Sequence, residues 1–151
     1  MVSIRVETII TAPPARCFDL ARSVSTHELT TKWSRERVVS RHDTDLLELG
    51  DVVTFEAYHF WLRQRLTSVV IEFDRPRFFS DRMTHGAFKS LSHTHQFFKS
   101  PGGGTRMVDI LEFESPFGLI GRLFDRFVLR AYMERFIRRK GIALKSIAEQ
   151  Q

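Results

Sequence analysis

The stretch from Phe117 to Ile147 reads as one helix, and no other part of the sequence offers one half as long. Pro116 precedes it, and Gly118 and Gly121 sit near its start. About 30 residues at ~1.5 Å each would run ~45 Å. A domain of this size is roughly 35 Å across, with a radius of gyration of roughly 15 Å. The helix must cross the whole domain, overhang it or bend. Its apolar residues fall in two stripes. Ile120, Leu123, Phe124, Phe127, Val128 and Ala131 form one; Leu129, Met133, Phe136, Ile137, Leu144 and Ile147 form the other. On a wheel of about 100° per residue the stripes point to nearly opposite sides. The pattern predicts either a break between Val128 and Tyr132 or cover for the first half from a second side.

The residues before this helix alternate instead. Val2–Thr11 is a strand by its period of two. Ala12-Pro13-Pro14 ends it, with Pro14 suited to the first turn of a short helix through Val24. Ser25 or Thr26 would cap a second short helix, His27 to Trp33. Strands are then predicted at 36–41, 46–49, 52–60, 61–73, 78–85, 90–99 and 105–114. Gly86-Ala87 turns the chain between the strands at 78–85 and 90–99, and Pro101-Gly102-Gly103-Gly104 is a strong hairpin signal between the last two. Segregated strands and helices indicate an α+β domain. With no repeat, interior linker or shift in composition, residues 1–151 read as one domain. The simplest packing curls an antiparallel sheet around the terminal helix, which leaves room inside for a ligand.

Fourteen Phe favour an apolar core or cavity. A lone Cys17 excludes an internal disulfide framework and any Cys-rich zinc site, and fits a cytoplasmic protein. The first eleven residues lack the apolar core of a signal peptide, and no run is long enough to span a membrane. The net charge of +5 sits entirely in residues 117–151, where eight basic residues face three acidic ones. That segment is a solvated basic face or a contact for an acidic partner or membrane.

Chemistry concentrates in the last three strands. One parity carries Asp81, Met83, His85, then Leu91, His93, His95, Phe97, then Met107, Asp109, Leu111, Phe113. The other is mostly polar. The first set is what lines an apolar cavity holding a few placed polar groups. A turn centred on Gly102 sets His95 opposite Asp109, His93 opposite Leu111 and Phe97 opposite Met107. An even register at Gly86-Ala87 brings Asp81 to His93 or His95. Three uses of this cluster compete: a satisfied buried network, a general acid/base pair with His95 as base and Asp109 orienting it, and a metal site. A third metal ligand is not obvious beside His-x-His, so no metal and no cofactor are expected. The glycine run is not followed by a helix and is no phosphate loop.

At these residues the chain resembles a known superfamily. The pattern Phe79-x-Asp81-x4-Gly86-x-Phe88, His93-x-His95-x-Phe97, Gly103-Gly104-Thr105-x-Met107-x-Asp109 and Pro116-x-Gly118-x2-Gly121 is similar to the SRPBCC group, the START-like or Bet v 1-like helix-grip proteins. Its nearest branch comprises small bacterial ligand-binding and cyclase/dehydrase-like proteins, some labelled cell division inhibitors. The resemblance implies about six to seven antiparallel strands wrapped on the C-terminal helix, with two short helices after the first strand and a hydrophobic cavity. Related branches bind lipids, sterols, quinones or polyketides, and some catalyse cyclisation. Leu91 stands where an aromatic is usual and Met83 where Gln is common, and both changes make the lining more apolar.

The expected function is binding of one small hydrophobic or amphipathic molecule. Asp81, His93, His95 and Asp109 would orient its polar end. Phe55, Met83, His85, Leu91, Phe97, Met107, Leu111, Phe113, Phe124, Met133, Phe136 and Ile137 would complete the site. A cyclase or dehydratase using His95 and Asp109 is the first alternative, and a membrane or protein interaction module acting through the basic helix the second. No nucleic-acid partner is expected; peripheral membrane contact and a monomer or homodimer stay open.

Overall fold

Alternation decides the first element. In the computed structural model, which describes residues 1–150, β1 (Val2–Ile10) buries Ile4, Val6, Thr8 and Ile10 and exposes the residues between them. Two short helices follow, α1 (Pro14–Ala21) and α2 (Val24–Thr30). The cap of α2 is Ser23, whose hydroxyl accepts from the Thr26 N–H, not Ser25 or Thr26. The strands are β2 (Arg37–Val38), β3 (Val52–His59), β4 (Leu62–Asp74), β5 (Phe78–His85), β6 (Ser90–Lys99) and β7 (Thr105–Glu114). The segment 46–49 is no strand: Leu46 makes a single bridge to Ser23, and four residues between two turns have no partner strand to pair with. The sheet is antiparallel in the order β1-β7-β6-β5-β4-β3-β2.

Two apolar clusters hold the layers together. Phe18 of α1 is fully buried and meets Phe73, Phe79 and Phe97 edge-on, at centroid distances of 5.3, 5.2 and 5.4 Å. Cys17, Leu144 and Ala148 close this end. The second cluster sets Leu129 and Ile137 of the terminal helix against Ile4, Val6, Leu91, Leu111 and Phe113 of the sheet. The terminal helix lies close on β1, because a Cβ built at Gly141 would stand 2.7 Å from the Thr8 hydroxyl.

The terminal helix does not break. It runs as α3 (Gly118–Phe124), a π-helical turn (Asp125–Leu129) and α4 (Arg130–Ala148). The residues flanking the π turn keep right-handed helical angles. The π turn absorbs an extra residue and so shifts the phase between the stripes without ending the helix. The second stripe grips the sheet. The first is left without full cover, with Ile120 at 77 % and Phe127 at 70 % exposure.

The entry to this helix is fixed by Gly121. A Cβ there would stand 2.0 Å from the Pro116 carbonyl oxygen, and backbone cannot step aside. Overpacking against a rigid wall costs about 1–3 kcal/mol. Gly121→Ala is expected to lower stability by that amount in denaturant titrations, whereas the same change at exposed Gly102 or Gly103 would meet no atom within 4 Å and strain only the backbone.

Candidate functional site

Between the sheet and the terminal helix lies a cavity of about 760 Å³, within the roughly 300–1,000 Å³ common for small-molecule sites. Its walls are largely apolar. Of the residues expected at the site, Phe55, Asp81, Leu91, His93, His95, Leu111, Phe124, Met133, Phe136 and Ile137 line it. Asp109 lies behind the two imidazoles. The others do not reach the cavity. Phe97 and Met107 are in the packed core because α1 and the end of α4 fill that part of the sheet's inner face. Phe113 is fully buried in the second cluster, against Phe88. Met83 packs at the margin of that cluster. His85 is exposed, since pairing of β5 with β6 stops at Arg82 and beyond it the strand keeps only β4, where His85 pairs with Thr67.

The β6–β7 register places His95 opposite Asp109 and His93 opposite Leu111, while β5 sets Asp81 opposite His93. One oxygen of Asp109 then accepts from both rings, from His93 Nε2 at 3.0 Å and from His95 Nδ1 at 2.9 Å. That shared bond fixes both rings and leaves His95 Nε2 directed at Asp81, 3.7 Å away. Phe79 stacks on His95 at 4.4 Å. Burial alone would raise the Asp109 pKa, but the two imidazole donors hold it well below the ordinary carboxylate range. Burial, with the charge of His95 beside it, pushes His93 down to about 4. Burial opposes the charge on His95 too, yet hydrogen bonding to Asp109 and Asp81 prevails and its pKa is raised. Of the two rings, His95 therefore holds the titrating proton more tightly than His93.

This division has a pH signature. The unfolded chain takes up the proton that folded His93 refuses, so stability rises with pH from about 4 to about 6.5. His27 and His59, also lowered by burial, add the same sign. His95 acts oppositely: its contribution is full below its ordinary value and is lost as pH rises through its raised one. Stability is expected to peak near pH 6.5 in denaturant titrations. NMR should find one imidazole of the pair titrating near 4 and the other above its ordinary value. Two rings titrating together at the ordinary value would contradict this arrangement.

A second polar group faces the same cavity and has no counterpart in the expectations above. Lys140 Nζ donates to His27 Nδ1 at 2.9 Å, and His27 Nε2 in turn bonds the buried Glu36 carboxylate. His27 stacks on Phe55 at 4.2 Å. Farther along, His59 Nδ1 meets the Tyr132 hydroxyl at 2.6 Å. A small void of about 20 Å³ is walled by His27, Lys140, His93, His95 and Asp109 together, so the two groups form one polar belt. Lys140 was legible in principle: it stands three residues after Ile137 and four before Leu144, inside the buried stripe.

Among the described residues, Asp81, His93 and His95 form a set that could hold a metal ion, with one donor atom from each within 4.8 Å of the others. Asp81, which the strand register already set beside these histidines, would be the third donor. Asp109 would support both imidazoles from behind, as metal-binding histidines require.

A family model described as polyketide cyclase/dehydrase and lipid transport matches residues 1–149. The chain belongs to that family, and with it to the SRPBCC superfamily. No curated protein matches the sequence. The helix-grip fold is shared with TTHA0849 from Thermus thermophilus, at TM-score 0.75 and 23 % identity over 96 % of this chain and 95 % of that one. ZhuI aromatase/cyclase from Streptomyces sp. R1128 gives TM-score 0.75 at 14 % identity over 98 % and 93 %. A START superfamily protein from Mycobacterium smegmatis gives 0.72 at 10 % over 98 % and 97 %. At these identities the likenesses concern the fold. The family member described here keeps an open sheet, a long terminal helix and a cavity between them.

Proposed function

We propose that the cavity binds one amphipathic molecule, its apolar body against the sheet and helix and its oxygen-bearing end on the polar belt. The observation that carries this is the pairing of a largely apolar 760 Å³ cavity with one continuous set of ionisable side chains. The belt also narrows the ligand class. Glu36, Asp81 and Asp109 all have lowered pKa values and are ionised, against Lys140 and, at most, a protonated His95. Arg22 and Arg65, also on the wall, are spent on Asp19 and Glu56. An anionic head group would meet a surplus of carboxylates. A neutral ligand with carbonyl or phenol oxygens, of the quinone or polyketide kind, would accept from His95 and Lys140 without that penalty. A thermal-shift panel tests this: neutral quinones and aromatic polyketides should raise Tm, and matched fatty acids or phospholipids should not. The reverse order would reject the reading.

The geometry of His95 favours a second reading, acid/base catalysis on the same ligand. Its Nδ1 is held by Asp109 and its Nε2 points to Asp81 at the cavity wall, the base–orienter arrangement of acid/base sites. In that reading His95 exchanges the proton and Asp109 orients its ring. For a substrate turned over by this route, His95→Gln should abolish turnover and leave binding within about tenfold, or ~1.4 kcal/mol.

A further inference from the structure

The mouth of the cavity is rimmed by Phe60, Phe117, Ile120 and Phe124, which both line it and stand exposed to solvent. Beyond them Trp61 is 97 % exposed, and Leu119, Leu123 and Phe127 are exposed on the same helix. The hairpin tip and the helix are one surface, since Phe60 reaches Phe124 at a centroid distance of 6.3 Å and Tyr132 at 4.7 Å. We propose that this rim docks on an anionic lipid bilayer, so that the cavity opens directly onto the membrane.

Three observations select that occupant. First, Phe60 and Trp61 are the two loop residues of the β3–β4 hairpin, between paired His59 and Leu62, and both have positive φ, 52° and 62°. Such two-residue turns favour Asn-Gly, and a bulky residue there is strained. Two aromatics held outward at a cost to the turn mark a surface with something to bury. Second, the charge is one-sided. Arg122, Arg126 and Arg130 are spaced by four, and none has a carboxylate partner among the described residues. The lone acid between Phe117 and Met133 is Asp125, which is buried and bound to Ser115. Apolar side chains mixed with unpaired arginines are the composition of segments that lie in the headgroup region of anionic membranes. Third, the arginines disfavour a second copy of the chain. A two-fold interface sets each patch against itself, and would bring the arginines of both copies together with no acid between them. Among the described residues no helix is long and apolar enough to cross a membrane, so the proposed contact is peripheral.

The docking surface stands apart from whatever the cavity holds, and its test uses residues that do not line the cavity. The full chain is mixed with phosphatidylcholine vesicles, with or without phosphatidylglycerol, and floated on a density gradient. Binding to the phosphatidylglycerol vesicles is expected, with a blue shift of Trp61 emission and progressive loss on adding salt. Trp33, the other tryptophan, lies under the Arg139 guanidinium and serves as the internal reference. Trp61→Ser with Phe127→Ser should weaken partitioning at least about tenfold, with Tm unchanged. Arg122→Glu with Arg126→Glu should remove the preference for the anionic vesicles. Failure to float, or equal flotation of the double serine variant, would overturn the proposal. So would a dimer in sedimentation equilibrium that the serine variant dissociates while vesicles stay unbound.

Discussion

Asp109→Leu is expected to destabilise the fold by about 3–5 kcal/mol, the usual cost of removing one partner from a buried ionic pair. The reason lies in the shared bond. One carboxylate oxygen accepts from His93 and from His95, and the side chain is 6 % exposed. Leucine would leave two buried imidazoles without their acceptor, and His95 would keep only the more distant Asp81. For a chain of this length, that loss corresponds to a fall in Tm of roughly 10 °C. Asp109→Asn separates charge from shape. Its amide oxygen can still accept, so the loss should be smaller, about 1–2 kcal/mol. The pKa of His95 should drop at the same time, because hydrogen bonding to Asp109 is the first influence raising it against burial. Denaturant titration with NMR of the ring protons checks both. Equal stabilities for the Leu and Asn variants would show that the carboxylate holds nothing together.

Phe18→Ala should cost a similar 3–5 kcal/mol, by a different mechanism. The ring is fully buried and is the hub on which Phe73, Phe79 and Phe97 converge. Alanine would remove three edge-to-face contacts, each worth about 0.5–1.5 kcal/mol beyond burial, and leave a hole the neighbouring strands cannot close. The effect should extend to the site, because Phe79 meets Phe18 edge-on and stacks on His95, so the loss of packing should disturb the His95 ring. Phe18→Leu, which keeps most of the volume, should recover more than half of the stability. A variant with alanine as stable as the parent would mean that the four rings do not act as one unit.

What could be read from the sequence depended on how local the signal was. The register of β6 and β7 follows from one turn and a period of two, so the His95–Asp109 pairing was legible before any coordinates. The segment 46–49 was misread because a four-residue apolar run says nothing of whether a partner strand exists. The His27–Glu36–Lys140 group joins α2, the loop before β2 and α4, which no periodicity links. Its one trace was a lysine in a buried stripe. Phe97, Met107 and Phe113 share the parity of the cavity residues, but parity decides the face of a strand and not its depth; α1, α4 and Phe88 decide whether that face meets cavity or core. The two stripes of the terminal helix were real, and a π turn reconciles them where a break was expected. The uncovered stripe remains on the surface, at the mouth of the cavity.

Native mass spectrometry of the purified chain, incubated with neutral quinones and aromatic polyketides, tests most directly whether the cavity holds one neutral amphipathic molecule on its belt of ionisable groups. A single saturable adduct per chain, weakened when Lys140→Met or Asp81→Leu alters the belt, is the predicted result. A chain that takes up none of these molecules, or takes them up equally well with the belt altered, would contradict it.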